Sequence, residues 1–372
     1  MNINQKFKEK IKILHITPVW TGLQTQNISG MPAFYNYFLY NKKLKIENNV
    51  WFIENLRKFK LKQKGNFILK KKLSLLNFVL DLIKNKYDCI YFHGSATILY
   101  LFISKFFKIK IITRIYGCGN NYNEIKKKGK FKFFISHPAT YLFIKINSNL
   151  KVVTDDGSNG YRLVKFINRS SKIFFEKNGY NKIKFKNINK NKKNKLITYI
   201  SRVSEKKNQI MFVKFAQRII KKDKKFKFIF YGQISDNKYH QKVLNYIKEK
   251  KITQNINYGG VLSNRDILKV IQKSFMCVYF QRYSNFSNSL IEAISLGTPI
   301  LSLNDKNLKK YFYNFKNIYQ CKNLKEAVDT FIKIKNKKIK VKNTNTIKNV
   351  MMTWQERIAK EIHLVRKVIN ES

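Results

Sequence analysis

The sequence predicts an α/β protein with two doubly wound parallel sheets that face each other across a cleft. Short apolar runs of strand length alternate with longer segments of helical periodicity, which is typical of parallel sheets covered by helices. A Lys/Asn-rich tract, Asn181–Lys195, interrupts this alternation. We interpret it as an interdomain linker, because it has too few apolar residues to pack. The 372 residues are enough for two domains with separate cores.

The first half opens with an apolar run that ends at a proline, followed by a loop with two glycines and a helix near Pro32. Its predicted strands are Lys12–Thr17, Asn49–Glu54, Cys89–Phe92, Ile109–Arg114, Leu150–Thr154 and Ile173–Phe175. Two further helices are expected at Leu73–Ile83 and from about Ala96 to Phe106.

The strand–helix alternation starts again after the linker. The predicted strands are Leu196–Ser201, Phe226–Tyr231, Ile256–Tyr258, Met276–Phe280 and Pro299–Leu303. The predicted helices are Gln209–Lys221, Gln241–Lys251, Arg265–Gln272, Asn288–Leu296 and, after a second Lys/Asn tract, Trp354–Ile369. We therefore expect a first domain at residues 1–185, a second at 186–352 and a C-terminal helical segment at 353–372.

Composition narrows the class of protein. Hydrophobic residues make up 44% of the chain, so folded domains are expected. The polar N-terminus does not resemble a signal peptide, and the most apolar run, Ile98–Phe107, is too short to span a bilayer. The four cysteines lack metal or redox spacing and are expected to be core residues in a reducing compartment. These features favour a cytoplasmic protein.

The formal net charge is +55. Lys, Asn and Ile are all abundant, a bias that A/T-rich codons produce, so much of this charge has a compositional explanation. The remainder still favours attraction to anionic lipid or to nucleic acid.

The stretch Gln281–Thr298 carries the strongest local signal for a binding site. It follows a buried-looking strand and opens a helix capped by Ser287 or Asn288. Glu292 follows Asn288 by four residues, so it lies one helical turn further along, on the same face of the helix as the cap. A helix start attracts anions, and a neighbouring carboxylate suits a pair of sugar hydroxyls. The alternative is an ordinary strand–turn–helix connection with a solvated glutamate.

A second candidate site follows the first strand of the second half. Arg202 lies at the carboxyl end of that strand, and Lys207 lies where the next helix begins. Two cations at one sheet edge suit a diphosphate, whose charge as a leaving group they would stabilise. The alternative is a solvated basic loop in a Lys-rich protein.

Together these segments resemble the donor domain of the retaining glycosyltransferases of family four, which have the GT-B fold with two Rossmann-like domains. The resemblance runs in order and with the family's spacing from about Leu196 to Leu303. The matching motifs are Ser201-Arg-Val with Lys207-Asn208, Tyr231-Gly232, Gly259-Gly260, Ser284-Asn-Phe-Ser-Asn-Ser-Leu-Ile-Glu292-Ala and Gly297-Thr-Pro299.

The resemblance implies a role for each matched residue. Arg202 and Lys207 would bind the donor diphosphate, and Glu292 would hold the nucleotide ribose. The backbone around the helix start would frame the donor, through Phe286, Ser287, Asn288 and Ser289. The family usually has a second glutamate eight positions before Glu292, in contact with the transferred sugar. Here that position is Ser284, so the sugar contact there is in doubt.

The first half matches the family at fewer positions. Tyr87–Gly94 matches a strand whose histidine, here His93, reaches the donor sugar in several relatives; a structural histidine is the alternative. Asp155, followed by Asp156, is a candidate for binding acceptor hydroxyls, or else part of a simple turn. Gly30 matches a loop that approaches donor or acceptor.

Two more segments match the end of the family's first domain and its last helix. Lys177–Tyr180 matches the Asn-Gly turn before the linker, and Trp354 and Arg357 match the last helix. In the family this helix crosses back to the first domain.

The implied reaction transfers a sugar from a nucleotide-sugar donor to a saccharide or lipid-linked acceptor, with retention and without a metal or a further cofactor. This activity suggests cell-surface polysaccharide or lipopolysaccharide synthesis. The basic-aromatic stretches Lys126–Ile146 and Tyr100–Lys110 suit an anionic membrane surface, at the cytoplasmic face, or else form core helices with solvated lysines.

Two other classes stay open. The charge alone would fit a nucleic-acid-binding protein, but no recognition motif is present and the basic residues are spread along the whole chain. A sugar-nucleotide epimerase of the same two-domain shape is the second alternative.

Overall fold

The computed structural model describes residues 11–18, 38, 45–53, 67–70, 74–180, 195–284, 286–303, 305–315, 317–336, 347 and 350–371. The chain forms two compact units, one of Met1–Gly179 with Trp354–Ser372 and the other of Tyr180–Thr353. The predicted helix near Pro32, Gly30 and nearly all of the predicted linker Asn181–Lys195 lie outside the described residues.

The first unit is a parallel sheet covered by helices on both faces. Its strands are β1 (Ile11–Thr17), β2 (Ile46–Phe52), β3 (Phe67–Lys70), β4 (Cys89–His93), β5 (Lys110–Ile115), β6 (Leu150–Asp155) and β7 (Ile173–Lys177). They pair in the order β3–β2–β1–β4–β5–β6–β7. Its helices are α1 (Leu75–Lys84), α2 (Ile98–Ser104), α3 (Asn121–Ser136), α4 (Pro138–Lys145), α5 (Gly160–Ile167) and the C-terminal α12 (Trp354–Asn370).

Alternation along the strands assigns these helices to two opposite layers. Leu14, Ile90 and Val153 pack in one apolar core together with residues of α1 to α5. Their sequence neighbours on the strands pack in a second core with α12. Because successive strand residues point to opposite faces, α1–α5 cover one face of the sheet and α12 covers the other.

A buried charge cluster fixes α12 to the sheet. The Glu361 carboxylate accepts hydrogen bonds from the guanidinium groups of Arg114 on β5 and Arg357 one turn earlier on α12, and from the Tyr91 hydroxyl on β4. Arg357 also donates to the carbonyl oxygen of Lys177 at 3.1 Å. Burial raises the pKa of Glu361, but the positive charges of the two arginines outweigh this effect, so the pKa is lowered overall.

The second unit contains a six-stranded parallel sheet. Its strands are β8 (Leu196–Ile200), β9 (Lys227–Tyr231), β10 (Ile256–Tyr258), β11 (Met276–Tyr279), β12 (Ile300–Leu303) and β13 (Ile318–Cys321). The order is β10–β9–β8–β11–β12–β13, the arrangement of a doubly wound nucleotide-binding fold. Its helices are α6 (Gln209–Ile220), α7 (Asn237–Glu249), α8 (Asn264–Lys273), α9 (Asn288–Ser295), α10 (Lys306–Phe312) and α11 (Leu324–Lys335).

Most predicted elements are present with ends shifted by a few residues. The predicted helix Ala96–Phe106 is a short 3₁₀ turn, Ser95–Thr97, followed by α2. Helix α7 begins earlier than predicted, because Asp236 accepts a hydrogen bond from the Tyr239 amide and so caps Asn237–Glu249. The elements β3, α5, α10, β13 and α11 were not predicted.

Candidate functional site

The loop after β8 is held by a close approach of two strand ends. A Cβ atom on Gly232, at the end of β9, would lie 2.1 Å from the carbonyl oxygen of Ser201, and the φ angle of Gly232 is +138°. A side chain at this position would therefore push the two strand ends apart. The glycine of the Tyr231-Gly232 motif thus fixes the backbone that leads into Arg202, whose side chain is exposed.

Asn208 occupies the position where the family usually has glycine. Its φ angle is +59°, in the left-handed region that asparagine tolerates better than most residues. Its amide nitrogen donates to the carbonyl oxygen of Phe280 at 3.1 Å. The substitution therefore keeps the backbone conformation and ties the start of α6 to the chain just after β11.

The Lys207 side chain also contacts the chain just after β11. Its ammonium group donates to the Gln281 side-chain oxygen at 2.9 Å. The Arg282 amide donates to the Lys206 carbonyl oxygen at 3.1 Å, and the Arg282 side chain pairs with Glu205 at 3.0 Å. The loop that carries Arg202 and Lys207 therefore packs along the segment that leads into α9.

The start of α9 completes this edge. Ser287 is the cap, since its hydroxyl accepts from the Leu290 amide at 3.3 Å, so the sequence prediction is resolved in its favour over Asn288. The buried Ser289 hydroxyl donates to the Ile200 carbonyl oxygen at 2.7 Å. Ile200 ends β8, two residues before Arg202. The loop after β8 and the amino terminus of α9 are thus brought together at the carboxyl edge of one sheet.

Glu292 lies inside this edge with 4% of its surface exposed. One carboxylate oxygen accepts from the Asn264 amide nitrogen at 2.9 Å. Burial raises the pKa of Glu292 to about 7, against the lowering effect of the Asn264 hydrogen bond. The buried amide oxygen of Asn264 has no donor within the part of the chain that the structure describes. A carboxyl group and an unsatisfied acceptor therefore lie side by side, an arrangement suited to hydroxyl groups.

The remaining residues that were predicted to contact the nucleotide-sugar donor differ in which of their groups are accessible. The Phe286 ring is buried edge-on against Tyr311 and Phe312, with ring centroids 5.2 and 5.6 Å away. Only the backbone of Phe286 can therefore face a ligand. Ser284 lines a cavity of about 300 Å³, together with Ser302. Among the described residues, the hydroxyls of Ser284 and Ser302 have no hydrogen-bond partner.

In the first unit, His93 is fully buried at the end of β4 and belongs to a chain of hydrogen bonds. Its Nδ1 atom lies 2.8 Å from the Tyr116 hydroxyl, and its Nε2 atom lies 3.1 Å from Nδ1 of His15. Nε2 of His15 lies 3.0 Å from the side-chain oxygen of Asn48. Both ring nitrogens of His93 are therefore engaged within the protein.

The hydrogen bonds that link Asn48, His15, His93 and Tyr116 have one consistent donor-to-acceptor direction. The Asn48 oxygen is an acceptor, so Nε2 of His15 carries the proton and Nδ1 of His15 accepts. Nε2 of His93 must then donate to His15, and the Tyr116 hydroxyl donates to Nδ1 of His93. Burial keeps both rings neutral, since it lowers the pKa of His15 to about 4 and lowers that of His93 well below its usual value.

Asp155, the last residue of β6, and the following Asp156 take part in a turn. The Asp155 carboxylate accepts from the Gly157 amide at 3.4 Å, and Asp156 accepts from the Ser158 amide at 3.1 Å and from the Ser158 hydroxyl. This geometry favours the turn interpretation of the pair. Gly30, the other candidate on the acceptor side, lies outside the described residues.

Several residues that build these sites were not singled out from the sequence: Asn264, His15 and Tyr116. No local pattern marks them, because each acts through a partner distant in the chain. Arg114, with Glu361, had a usable signal, since a charged residue inside an apolar strand requires a buried partner. Over the described ranges, no cluster of three or more potential metal ligands occurs and no helix is long and apolar enough to cross a membrane.

Solved structures with the same architecture span almost the whole chain. Sucrose-phosphate synthase from Thermosynechococcus elongatus matches with a TM-score of 0.74 at 10% identity, over 98% of this chain and 100% of that one. HepE from Anabaena, in complex with UDP and glucose, matches with a TM-score of 0.70 at 11% identity, over 95% and 99%. A glycosyltransferase from Rickettsia africae matches with a TM-score of 0.65 at 15% identity, over 98% and 100%.

These identities are low, so the matches show the fold, which confirms the predicted GT-B architecture. None of the curated proteins matches the chain. Residues 181–350 match the family described as glycosyl transferases group 1. This segment contains the loop after β8, the start of α9 and Glu292. This part of the chain, residues 181–350, is therefore similar to the glycosyl transferases of group 1.

Proposed function

We propose that the protein is a retaining glycosyltransferase that moves a sugar from a nucleotide-sugar donor to a hydroxyl of a saccharide or lipid-linked acceptor. One observation carries this proposal. The loop with Arg202 and Lys207 and the capped start of α9 lie at one sheet edge, joined by the hydrogen bond from Ser289 to Ile200. Ligands of doubly wound sheets bind at this carboxyl edge.

Arg202 and Lys207 are the groups proposed to bind the donor diphosphate. As the sugar leaves, negative charge accumulates on the departing phosphate, and fixed cations stabilise it. Gln281 orients the Lys207 ammonium group, while the exposed Arg202 can close onto the ligand. In this proposal the two cations and the helix start supply the positive charge, and the reaction uses no metal.

Glu292 and Asn264 are the proposed ribose site. A ribose has two neighbouring hydroxyls that each donate one hydrogen bond. The Glu292 carboxylate and the unsatisfied Asn264 amide oxygen can accept both. A ligand would thereby satisfy a buried acceptor that has no donor among the described residues, so it gains more than a surface hydrogen bond would give.

Retention, an acceptor in cell-surface polysaccharide or lipopolysaccharide synthesis, and work at the cytoplasmic face of a membrane complete the proposal. Retention rests on the resemblance to family four. The membrane location is supported by the basic and aromatic segments of the first unit, such as Lys126–Ile146.

The test is a binding screen of UDP-, GDP-, ADP- and CMP-sugars against the full chain by NMR or thermal shift. One nucleotide class should bind. Arg202→Ala should weaken it by tenfold or more, because a charge-assisted hydrogen bond contributes about 1.5–3 kcal/mol. Lys206→Ala, an equal loss of charge in the same loop, is the matched control and should bind as the wild type does.

Equal affinity of the wild type, Arg202→Ala and Lys206→Ala would contradict the diphosphate assignment. Conversion of the donor to another nucleotide sugar without any acceptor would identify an epimerase instead. Binding of DNA with a steep salt dependence, without any nucleotide-sugar binding, would identify a nucleic-acid-binding protein.

A further inference from the structure

The outer surface of the α1–α5 layer in the first unit is unusually apolar. Over the described residues, twelve large hydrophobic side chains of this unit are exposed, compared with three in the second unit. The twelve are Leu75, Leu76, Leu80, Ile83, Leu99, Phe102, Phe106, Phe131, Ile135, Leu142, Tyr161 and Phe166. All lie on or directly beside α1–α5, the layer that covers one face of the sheet. A concentration of this kind marks an interaction surface.

Helix α1 is apolar on its buried side, through Phe78 and Leu82, and also on much of its exposed side. Its carboxylate, Asp81, is buried and accepts from the Trp51 indole at 3.1 Å and from the Tyr87 hydroxyl at 2.9 Å. On the opposite side, Leu76 and Ile83 are 68% and 69% exposed. A helix that exposes one face to water usually carries polar residues on that face. The exposed side of α1 is therefore built for an apolar environment.

Helix α2 contains no charged residue at all, and its exposed side continues this surface. Leu99, Phe102 and Phe106 are exposed and lie three and four positions apart, so they project from one side. The Phe102 and Phe106 rings contact each other edge-on, with centroids 5.9 Å apart.

Helix α3 adds positive charge beside exposed apolar groups. It bends at Gly129, where φ is +82°, and Phe131 and Ile135 project outward after the bend. Its lysines are exposed on both sides of the bend, from Lys126 to Lys132. Helices α1–α5 together carry nine Lys and Arg residues and two acidic residues, one of which is the buried Asp81.

We propose that this surface, the outer face of α1–α5, binds the interface of an anionic lipid bilayer. Exposed leucines and phenylalanines enter the boundary between headgroups and acyl chains, and the flanking lysines pair with anionic headgroups. Charge decides between this occupant and a second copy of the chain, because a second copy would bring an equally cationic face and the whole chain carries +55. The binding is peripheral, and it rests on the membrane location that the proposed function includes.

The test is co-sedimentation of the full chain with vesicles of phosphatidylcholine, with or without about one-third phosphatidylglycerol. Binding should be tenfold or more tighter to the anionic vesicles and should weaken as salt is raised. The double variant Phe102→Ser, Phe106→Ser should bind anionic vesicles at least tenfold more weakly, because it removes two aromatic anchors. Tyr313→Ser, at a 76% exposed aromatic residue of the second unit, is the matched control and should bind as the wild type does.

Circular dichroism and thermal unfolding of each variant verify that the fold is kept. Absent or equal binding to both vesicle types would overturn the proposal, as would equal binding by the double variant and the wild type. A concentration-dependent dimer that the double variant abolishes would assign the face to a second copy and overturn it as well. Failure here leaves the nucleotide proposal intact, since the nucleotide residues lie in the other unit.

Discussion

Glu292→Gln is predicted to stabilise the second unit at alkaline pH while weakening nucleotide binding. In the free protein Glu292 is almost fully buried and its pKa is raised to about 7 by burial. A group whose pKa is raised on folding stabilises the folded state below its unfolded pKa. It loses that contribution as the pH rises to the folded value. The charged form of Glu292 therefore destabilises the folded state above pH 7. Its proposed role is to contact the ligand.

The magnitude follows from the same pKa. An ordinary glutamate titrates at 4.5, and the difference from about 7 corresponds to about 3 kcal/mol at 25 °C, since each pH unit contributes about 1.4 kcal/mol. Glutamine cannot ionise, and its amide can donate to the unsatisfied oxygen of Asn264. The variant should therefore lack this loss of stability and exceed the wild type by up to about 3 kcal/mol at pH 8.

Urea unfolding at pH 5 and pH 8 measures the effect, with Glu249→Gln as the control because that carboxylate, on α7, is exposed. The second unit of the wild type and of Glu249→Gln should lose stability between the two pH values, and the second unit of Glu292→Gln should lose much less. Nucleotide affinity of Glu292→Gln should fall in the same preparation, because the proposed ribose acceptor is replaced. An identical pH dependence in all three proteins would refute the reasoning.

Two further predictions concern the first unit. His15 and His93 should both remain neutral, with the proton on Nε2, from pH 8 down to about pH 5. The measurement is ¹⁵N-detected NMR of the imidazole rings. Titration of either ring near pH 6.5, or a proton on Nδ1, would contradict the assigned direction of the hydrogen bonds. Glu361→Gln should lower the free energy of unfolding at pH 7 by about 3 kcal/mol or more in urea unfolding, because two buried arginines lose their counter-charge. Glu371→Gln is the control: it changes an exposed carboxylate just beyond the same helix and should leave the free energy of unfolding almost unchanged.

The pH dependence should differ in sign between the two units. The pKa of Glu361 is lowered on folding, so its contribution is present above the unfolded pKa and is lost as the pH falls through the folded value. His15 acts in the same direction, since protonation of the unfolded state below about pH 6.5 favours unfolding. Glu292 acts in the opposite direction. A rise in pH toward neutrality should thus stabilise the first unit, whereas the same rise should destabilise the second.

The sequence predicted what depends on local periodicity. Strand runs such as Met276–Phe280 and the helix that follows them carry their own apolar pattern and turn signals, so their type and order were correct. The edge at which Arg202 and Lys207 would lie followed from the rule that parallel strands share a carboxyl edge. Lys-rich helices such as α10 and α11 were not predicted, because a surface lysine gives the same signal in a helix and in a loop.

What could not be predicted depends on pairs distant in the chain. The imidazoles of His15 and His93 are 78 residues apart, and the Asn264–Glu292 pair is 28 residues apart. The stretch Lys126–Ile146 had been left open between core helices and a membrane surface. The structure shows two helices there, with Phe133 buried and Phe131 exposed, and the membrane surface stays a proposal. Helical periodicity does not reveal which apolar residues a folded core leaves outside.

The two departures from the pattern of the family that the sequence resembles have different consequences for the proposed donor site. At Asn208 the left-handed backbone is kept, and the new side chain adds a hydrogen bond to Phe280, so the loop that carries Lys207 is held at least as firmly as with glycine. Ser284 stands where the family has a glutamate, and among the described residues its buried hydroxyl has no hydrogen-bond partner, like that of Ser302 in the same cavity. A ligand that completes the hydrogen bonds of buried hydroxyls is favoured. We therefore expect the departure at Ser284 to alter the recognition of the group that enters this cavity and to leave the proposed diphosphate loop unchanged.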